Sequence, residues 1–146
     1  MMTAGAYPKE RPMVATTDKA FTGSIAELYD QFLVPLIFEP YALDLADRIA
    51  NAGPKDVLEI AAGTGAVTRA MAARLPRDVR IVATDLNPPM LNQAAARHPQ
   101  DSPVTWRQAD ALALPFEERS FDVVACQFGA MFFPDKVKAY REARRV

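Results

Sequence analysis

The sequence predicts an α/β domain built on a mostly parallel β-sheet with helices on both faces. Two observations support this prediction. Short apolar segments alternate with longer segments of helical periodicity, and the first apolar segment runs directly into a turn that contains glycines. Strands that alternate with helices form βαβ units, whose right-handed crossovers place helices on both sides of the sheet. The predicted strands are residues 56–60, 79–84, 104–108 and 121–126.

The helices between and after these strands have recognisable ends. The helix over residues 66–75 stops at Pro76, because proline cannot continue a helix. The next helix begins with Asn87 as its N-cap and Pro88 in its first turn, and it runs to position 97. A last helix is predicted to follow Asp135, which is placed as its N-cap.

The chain divides into three parts. Residues 1–18 are polar, contain two prolines and show no periodicity, so they are expected to form a flexible tail. Residues 19–53 are predicted to form a leading helical segment, whose first helix begins at a capping box of Ser24 and Glu27. The sheet domain follows over residues 54–146. The second leading helix is expected to bury Tyr41, Leu45 and Ile49 along one stripe.

Composition excludes several classes of protein. The 146 residues include 17 Lys+Arg and 18 Asp+Glu, and a net charge of −1 gives no reason to expect a nucleic-acid partner. The longest apolar run, residues 32–38, is interrupted by Pro35 and is too short for a membrane span. The single cysteine, Cys126, forms no internal disulfide and suits a reducing cytoplasm. No residues have the spacing of a metal site.

The turn after the first strand is typical of a nucleotide-type cofactor site. Gly63 and Gly65 allow the backbone to turn tightly and to approach a ligand. Asp85 ends the second strand, 22 residues after Gly63, where a carboxylate is expected to bind ribose hydroxyls. Both a dinucleotide and S-adenosylmethionine fit this layout. The dinucleotide pattern prefers Gly or Ala at the third position, which is Thr68 here, so the match is weaker for a dinucleotide.

The region from about residue 20 onward resembles the class I S-adenosylmethionine-dependent methyltransferases, in particular the small-molecule branch similar to methyltransferase type 11. The segment Val57–Gly65 resembles the loop of that family that wraps the amino-acid half of the cofactor. The resemblance implies that Glu59, Ala61, Gly63 and Gly65 bind this half, although the family usually has glycine where this chain has Ala61.

The resemblance also implies residues for the adenosine half. Asp85 would bind the ribose hydroxyls, while Leu86 and Met90 would flank the adenine. Asp110 would bind the adenine amino group, and the backbone N–H of Ala111 a ring nitrogen. For Met90 an ordinary position in the core is an equally good interpretation.

Two further regions resemble parts of the family that face the acceptor. The leading helices resemble a lid in which Tyr29 contacts the cofactor. Gln127 and Phe128 follow the fourth strand and are expected to face the methyl group and the acceptor, so Gln127 is a candidate contact for cofactor and acceptor alike. No catalytic base is identified. The aromatic residues that would either line an acceptor pocket or form core contacts of the lid are Phe21, Phe32 and Phe38.

The resemblance implies a methyltransferase that converts S-adenosylmethionine to S-adenosylhomocysteine while methylating a small molecule. It also implies a longer sheet, since this sequence supplies only about four strands of the usual seven and resembles a family member truncated after the fourth strand. The apolar strand 121–126 would then form a sheet edge, which favours self-association. A dinucleotide-binding oxidoreductase and a cofactor-binding fragment without turnover are the two alternatives.

Overall fold

The computed structural model describes residues 32, 37–99 and 101–146. Four strands form one sheet in the order β3-β2-β1-β4, and every pairing is parallel. This arrangement is Rossmann-like, and it confirms the predicted α/β fold with a parallel sheet. The strands are β1 (Asp56–Glu59), β2 (Arg80–Asp85), β3 (Val104–Gln108) and β4 (Val123–Ala125).

Four α-helices accompany the sheet among the described residues. The Asp135 carboxylate accepts a hydrogen bond of 2.9 Å from the Lys138 N–H, which confirms the predicted N-cap of the last helix. A short 3-10 helix, Gly129–Phe132, follows β4. The α-helices are α1 (Glu39–Ala52), α2 (Ala66–Arg74), α3 (Pro88–Ala96) and α4 (Lys136–Arg145).

The sheet separates two apolar layers. Successive residues of a strand point to opposite faces, so Val57 packs in one layer and Leu58 in the other. The first layer joins the sheet to α1 and α2 through residues such as Ala46, Ile49 and Met71. The second layer contains Leu114, Phe133, Ala139 and Val146, and it packs α4 against the sheet. Burial on both faces explains why the two successive central residues of β1, Val57 and Leu58, are both apolar.

The predicted stripe on the second leading helix is confirmed at Ile49 and wrong at Tyr41. Helix α1 buries Ala42, Ala46 and Ile49, whereas Tyr41 is 59% exposed and Leu45 only partly buried. Small alanine side chains let α1 and α2 approach closely, and this packing outweighs the larger apolar area that Tyr41 and Leu45 offer.

Two local predictions also need correction. Strand β4 is shorter than predicted, because the Phe121 N–H donates to the Val146 carbonyl at the end of α4 instead of joining the sheet ladder. Asn87 occupies the N-cap position of α3, but its side chain makes no capping hydrogen bond. The Asn87 N–H instead donates to Asp85 Oδ1 at 2.8 Å.

Some predictions fall outside the part of the chain that the structure describes. They are the tail over residues 1–18, the capping box at Ser24 and Glu27, and the lid residues Tyr29 and Phe21. Within the described ranges no helix combines the length and apolar character needed to cross a bilayer.

Candidate cofactor and acceptor site

The polar candidates predicted from the sequence meet at the carboxyl-terminal edge of the sheet. Asp110 follows β3, Asp85 ends β2, the glycine turn follows β1, and Gln127 follows β4. The strand order therefore arranges them in a row across the edge. The order in which strands are added reverses between β1 and β4, because β2 and β3 lie on one side of β1 and β4 lies on the other. Ligands bind at such a point in open parallel sheets. These residues surround a cavity of about 390 Å³.

The turn after β1 requires its glycines for two different reasons. Gly63 has a φ of 57° and Gly65 a φ of 80°, both in the left-handed region that favours glycine. A Cβ atom on Gly65 would also lie 2.8 Å from the Trp106 ring, so no side chain fits there. Trp106 thus packs against the turn from β3, in agreement with a packing role for this residue.

Ala61 adopts a backbone conformation that glycine would adopt more easily. Its φ is 54°, at the position where the resembling family usually has glycine. The methyl group of Ala61 fits because residue 129 is glycine. A side chain at position 129 would place its Cβ only 2.3 Å from the Ala61 Cβ. The sequence gives no local signal of this pairing, since the two residues lie on loops that meet only in the folded chain.

Asp85 joins the glycine turn to α3. Its Oδ2 accepts a hydrogen bond from the Gly63 N–H at 2.8 Å, and its Oδ1 accepts one from the Asn87 N–H at 2.8 Å. The residue is 8% exposed and lines the cavity. The carboxylate therefore shapes the turn in addition to facing the ligand space.

Glu59 is a buried carboxyl group behind the turn. It is 2% exposed, and Thr68 Oγ1 on α2 donates a hydrogen bond to Glu59 Oε2. Burial raises the pKa of Glu59 to about 8, although the Thr68 hydrogen bond opposes this rise. Glu59 also lines a smaller cavity of about 50 Å³ with the glycine turn and Gln127. The sequence identified Thr68 only as a mismatch to the dinucleotide pattern, and its contact with Glu59 was missed.

The candidates for the adenosine half lie at the β2 and β3 end of the main cavity. Leu86 is 37% exposed, whereas Met90 is 5% exposed, and both line the cavity. Met90 is thus both a core residue and a wall of the site. Asp110 Oδ1 accepts a hydrogen bond of 2.8 Å from the Leu112 N–H, which makes Asp110 a turn residue as well as a lining residue. Ala111 lines the same end.

The opposite end of the cavity is aromatic. Phe128 has a φ of 58°, an unusual value for a large side chain, and its ring lies 5.3 Å from Phe38 and 5.4 Å from Tyr41 between ring centroids. Phe38 lines the cavity as expected, whereas Phe32 is 59% exposed and is not among its lining residues. Apolar lining residues that the sequence reasoning missed are Ile37, Leu112, Met131 and Phe132.

Gln127 lies where the two cavities meet, and it lines both. Its Nε2 donates to the Phe38 carbonyl at the long distance of 3.4 Å. Its Oε1 is buried and has no hydrogen-bond partner among the described residues. The sequence predicted the location of Gln127, but not this unpaired oxygen.

Comparison with known proteins identifies the family. Residues 57–146, more than half of the chain, match the profile of a family described as a methyltransferase domain. The chain belongs to the S-adenosylmethionine-dependent methyltransferase family. It is 41% identical over 108 residues to a demethylmenaquinone methyltransferase of Thermus thermophilus, a match that covers 72% of this chain and 46% of the relative.

Solved structures of methyltransferases have the same fold. An S-adenosylmethionine-dependent methyltransferase structure from Methanococcus maripaludis matches with a TM-score of 0.75 and 26% identity, over 87% of this chain and 59% of that one. A structure of an amino pentose methyltransferase from Micromonospora echinaspora, bound to S-adenosylmethionine, matches with a TM-score of 0.58 and 30% identity. That match covers 72% of this chain and 42% of the other. The chain spans about half the length of the curated relatives it matches.

The charges around the cavities fit the cofactor of this methyltransferase family better than a dinucleotide. The ionisable side chains among the described lining residues are Asp85 and Asp110 in the main cavity and Glu59 in the smaller one, and all three are acidic. A sulfonium cofactor that carries an ammonium group suits acidic surroundings, whereas a pyrophosphate is repelled by them. The comparisons give no support to the oxidoreductase alternative.

Proposed function

We propose that this chain binds S-adenosylmethionine and takes part in methyl transfer to a small-molecule acceptor. The observation that carries the proposal is the row of residues at one sheet edge. Asp110, Asp85, the glycine turn and Gln127 follow four adjacent strands and open onto one cavity of about 390 Å³. An elongated cofactor that lies along this row would reach all four strand ends.

The proposed contacts follow the order of the strands. Asp110 and Ala111 bind the adenine, with Leu86 and Met90 against its faces. Asp85 accepts hydrogen bonds from the ribose hydroxyls while it holds Gly63. The amino-acid half contacts Glu59, Ala61, Gly63, Gly65 and Gln127. Tyr29, which lies outside the described residues, is proposed as a further cofactor contact on the family resemblance alone.

When bound, S-adenosylmethionine supplies an activated methyl group on a sulfonium, and its loss leaves S-adenosylhomocysteine. Because the cofactor supplies the reactive group, the protein contributes orientation and exclusion of water. The apolar rings of Phe38 and Phe128 exclude water, since they shield the end of the cavity next to Gln127.

The acceptor is proposed to be a small molecule and not a nucleic acid. The relative from Thermus thermophilus is named for demethylmenaquinone. No Lys, Arg or His occurs among the described residues that line either cavity, so a phosphate backbone would find no counter-charge there.

Methyl transfer itself tests this proposal. The chain is incubated with S-adenosylmethionine labelled in its methyl group and with a panel of small aromatic and quinol acceptors. Label in the acceptor fraction supports the proposed activity. Binding of S-adenosylhomocysteine without transfer to any acceptor would instead support the alternative of a cofactor-binding fragment.

We further propose that the chain self-associates through β4 and works in the cytoplasm. Strand β4 pairs with β1 alone among the described residues, which leaves its other edge available. The single cysteine, Cys126, is consistent with a reducing compartment. Light scattering after size exclusion tests the first point, because a monomer at all concentrations contradicts it. Cell fractionation tests the second, and recovery outside the cytoplasmic fraction contradicts it.

A further inference from the structure

The unpaired oxygen of Gln127 points to a missing hydrogen-bond donor. Buried polar atoms in folded proteins are nearly always paired, and an unpaired one costs free energy. Gln127 Oε1 is shielded from solvent and has no partner among the described residues, and the Gln127 Nε2 makes only the 3.4 Å contact to Phe38. A bound molecule that brings an O–H or N–H group to this oxygen would satisfy it.

The surroundings of Gln127 restrict what kind of molecule this is. The nearby side chains of the main cavity are apolar and unusually exposed: Ile37 is 45% exposed, Phe128 39%, Met131 61% and Phe132 49%. Large apolar side chains at the mouth of a cavity gain free energy when a ligand covers them. The described lining residues include no basic side chain, so an anionic group brought here would be desolvated without a partner.

The strand order separates this end from the cofactor's adenosine half. Asp85 and Asp110 follow β2 and β3, whereas Gln127 follows β4 on the other side of β1. In the main cavity, Asp85 and Asp110 therefore lie at one end and the aromatic side chains at the other, while Glu59 lines the smaller cavity beside Gln127. A molecule that fits the aromatic end does not need to compete with the ribose and adenine contacts.

We propose that the methyl acceptor is a neutral aromatic molecule that donates one hydrogen bond, from the O–H or N–H of its nucleophilic atom, to Gln127 Oε1. This inference rests on the proposed methyltransferase function and adds the acceptor class to it. Gln127 orients the nucleophile and accepts no proton. For a hydroxyl acceptor, the new O–CH₃ bond forms as the S–CH₃ bond of the cofactor breaks with its electron pair left on sulfur, and the hydroxyl proton passes to water. The methylated product therefore has no O–H to donate to Gln127 and binds more weakly than the substrate.

Three matched probes test the acceptor class by isothermal titration into the chain saturated with S-adenosylhomocysteine. They are naphthol, methoxynaphthalene and naphthoate, all substituted at the same ring position. We expect naphthol to bind about tenfold more tightly than methoxynaphthalene, which lacks the donor, and than naphthoate, which is anionic. Equal or tighter binding of naphthoate, or no binding of any probe to a chain that does bind S-adenosylhomocysteine, overturns the inference and leaves the proposed cofactor site intact.

Substitution of Gln127 tests the hydrogen bond. Gln127→Met keeps the length of the side chain and removes its hydrogen-bonding groups. We expect the preference for naphthol over methoxynaphthalene to fall to within twofold, while the affinity for methoxynaphthalene stays within twofold of wild type. Gln93→Met, on α3 and outside the cavity lining, is the matched control and should keep the full preference.

Two outcomes contradict the role of Gln127. An unchanged naphthol preference in Gln127→Met shows that the oxygen does not bind the acceptor. A loss of affinity for S-adenosylhomocysteine alone assigns the oxygen to the cofactor. If Gln127→Met fails to fold, the comparison of naphthol with methoxynaphthalene on the wild-type chain still decides whether a donor is recognised.

Discussion

The hydroxyl of Thr68 on α2 donates a hydrogen bond to the buried carboxyl group of Glu59 at the end of β1. Both residues are almost completely buried, at 0% and 2% exposure. The bond connects the helix and the strand on either side of the glycine turn, and it fixes the position of the carboxyl group behind the proposed cofactor site.

Thr68→Val should destabilise the chain without changing its shape. Valine has the size of threonine but no hydroxyl, so the buried Glu59 carboxyl loses its donor, at a cost of about 1–3 kcal/mol. The measurement is the free energy of unfolding from urea denaturation. Thr105→Val, on the exposed side of β3, is the matched control and should change this free energy by less than about 0.5 kcal/mol. Equal effects of the two substitutions would remove the basis for a special role of Thr68.

The stability of the ligand-free chain should decrease as the pH rises from about 5 to about 8. The pKa of Glu59 is raised to about 8 in the folded chain, against an ordinary glutamate value of 4.5. Between these values the folded chain holds a proton that the unfolded chain has released, so raising the pH favours unfolding. We expect a loss of about a few kcal/mol across this window. Urea denaturation at a series of pH values measures it.

Glu59→Gln is the control for this pH dependence. Glutamine does not titrate and still accepts the Thr68 hydrogen bond, so the decrease between pH 5 and pH 8 should largely disappear. A decrease of the same size in Glu59→Gln and in wild type would show that another group is responsible.

Binding of the cofactor should release a proton near pH 7. If the ammonium group of S-adenosylhomocysteine lies beside Glu59, its charge favours the ionised carboxylate and lowers the raised pKa of Glu59. The apparent affinity should therefore rise with pH up to about 8, opposite to the trend in stability. Calorimetric titrations in two buffers of different ionisation enthalpy measure the released proton, and equal heats in both buffers would argue against this contact.

Asp85→Asn should weaken binding of S-adenosylhomocysteine by about tenfold or more. The substitution removes the charge that strengthens hydrogen bonds to ribose hydroxyls. It also turns an amide N–H₂ group toward one of the two backbone donors, Gly63 or Asn87, that now bind the carboxylate. Asp78→Asn on an exposed loop is the control. An affinity within twofold of wild type in Asp85→Asn contradicts the assignment.

The contact between Ala61 and Gly129 should appear as a coupling between two substitutions. Gly129→Ala places a Cβ 2.3 Å from that of Ala61 and should cost about 1–3 kcal/mol of unfolding free energy. Ala61→Gly relieves the left-handed backbone and should be neutral or stabilising by up to about 1 kcal/mol. In the double variant most of the cost of Gly129→Ala should be recovered, since the clashing methyl group is gone. Additive effects would show that the two loops do not meet in this way.

The sequence allowed prediction of the features that depend on local patterns. The alternation of apolar strands with helices predicted the parallel sheet, and Asp135 was identified as an N-cap because capping depends on neighbouring residues. Gly63 and Asp85 were placed in one site because strands of a parallel sheet end at the same edge.

The features that were missed depend on which residues meet across the fold. The buried stripe of α1 was predicted as Tyr41, Leu45 and Ile49. Ile49 is buried, but close packing against α2 selects Ala42 and Ala46 in place of Tyr41. Thr68 was interpreted only as a mismatch to the dinucleotide pattern, although its hydroxyl donates a hydrogen bond to Glu59. The pairing of Ala61 with Gly129 joins residues far apart in the chain, and no periodicity or motif indicates it.

The row of residues along the sheet edge is proposed to bind S-adenosylmethionine and not a dinucleotide. Calorimetric titration of the wild-type chain with S-adenosylhomocysteine and, separately, with NADH tests it most directly. We expect saturable binding of S-adenosylhomocysteine with one site per chain and no measurable heat with NADH. Tight binding of NADH together with no response to S-adenosylhomocysteine would contradict the proposed function.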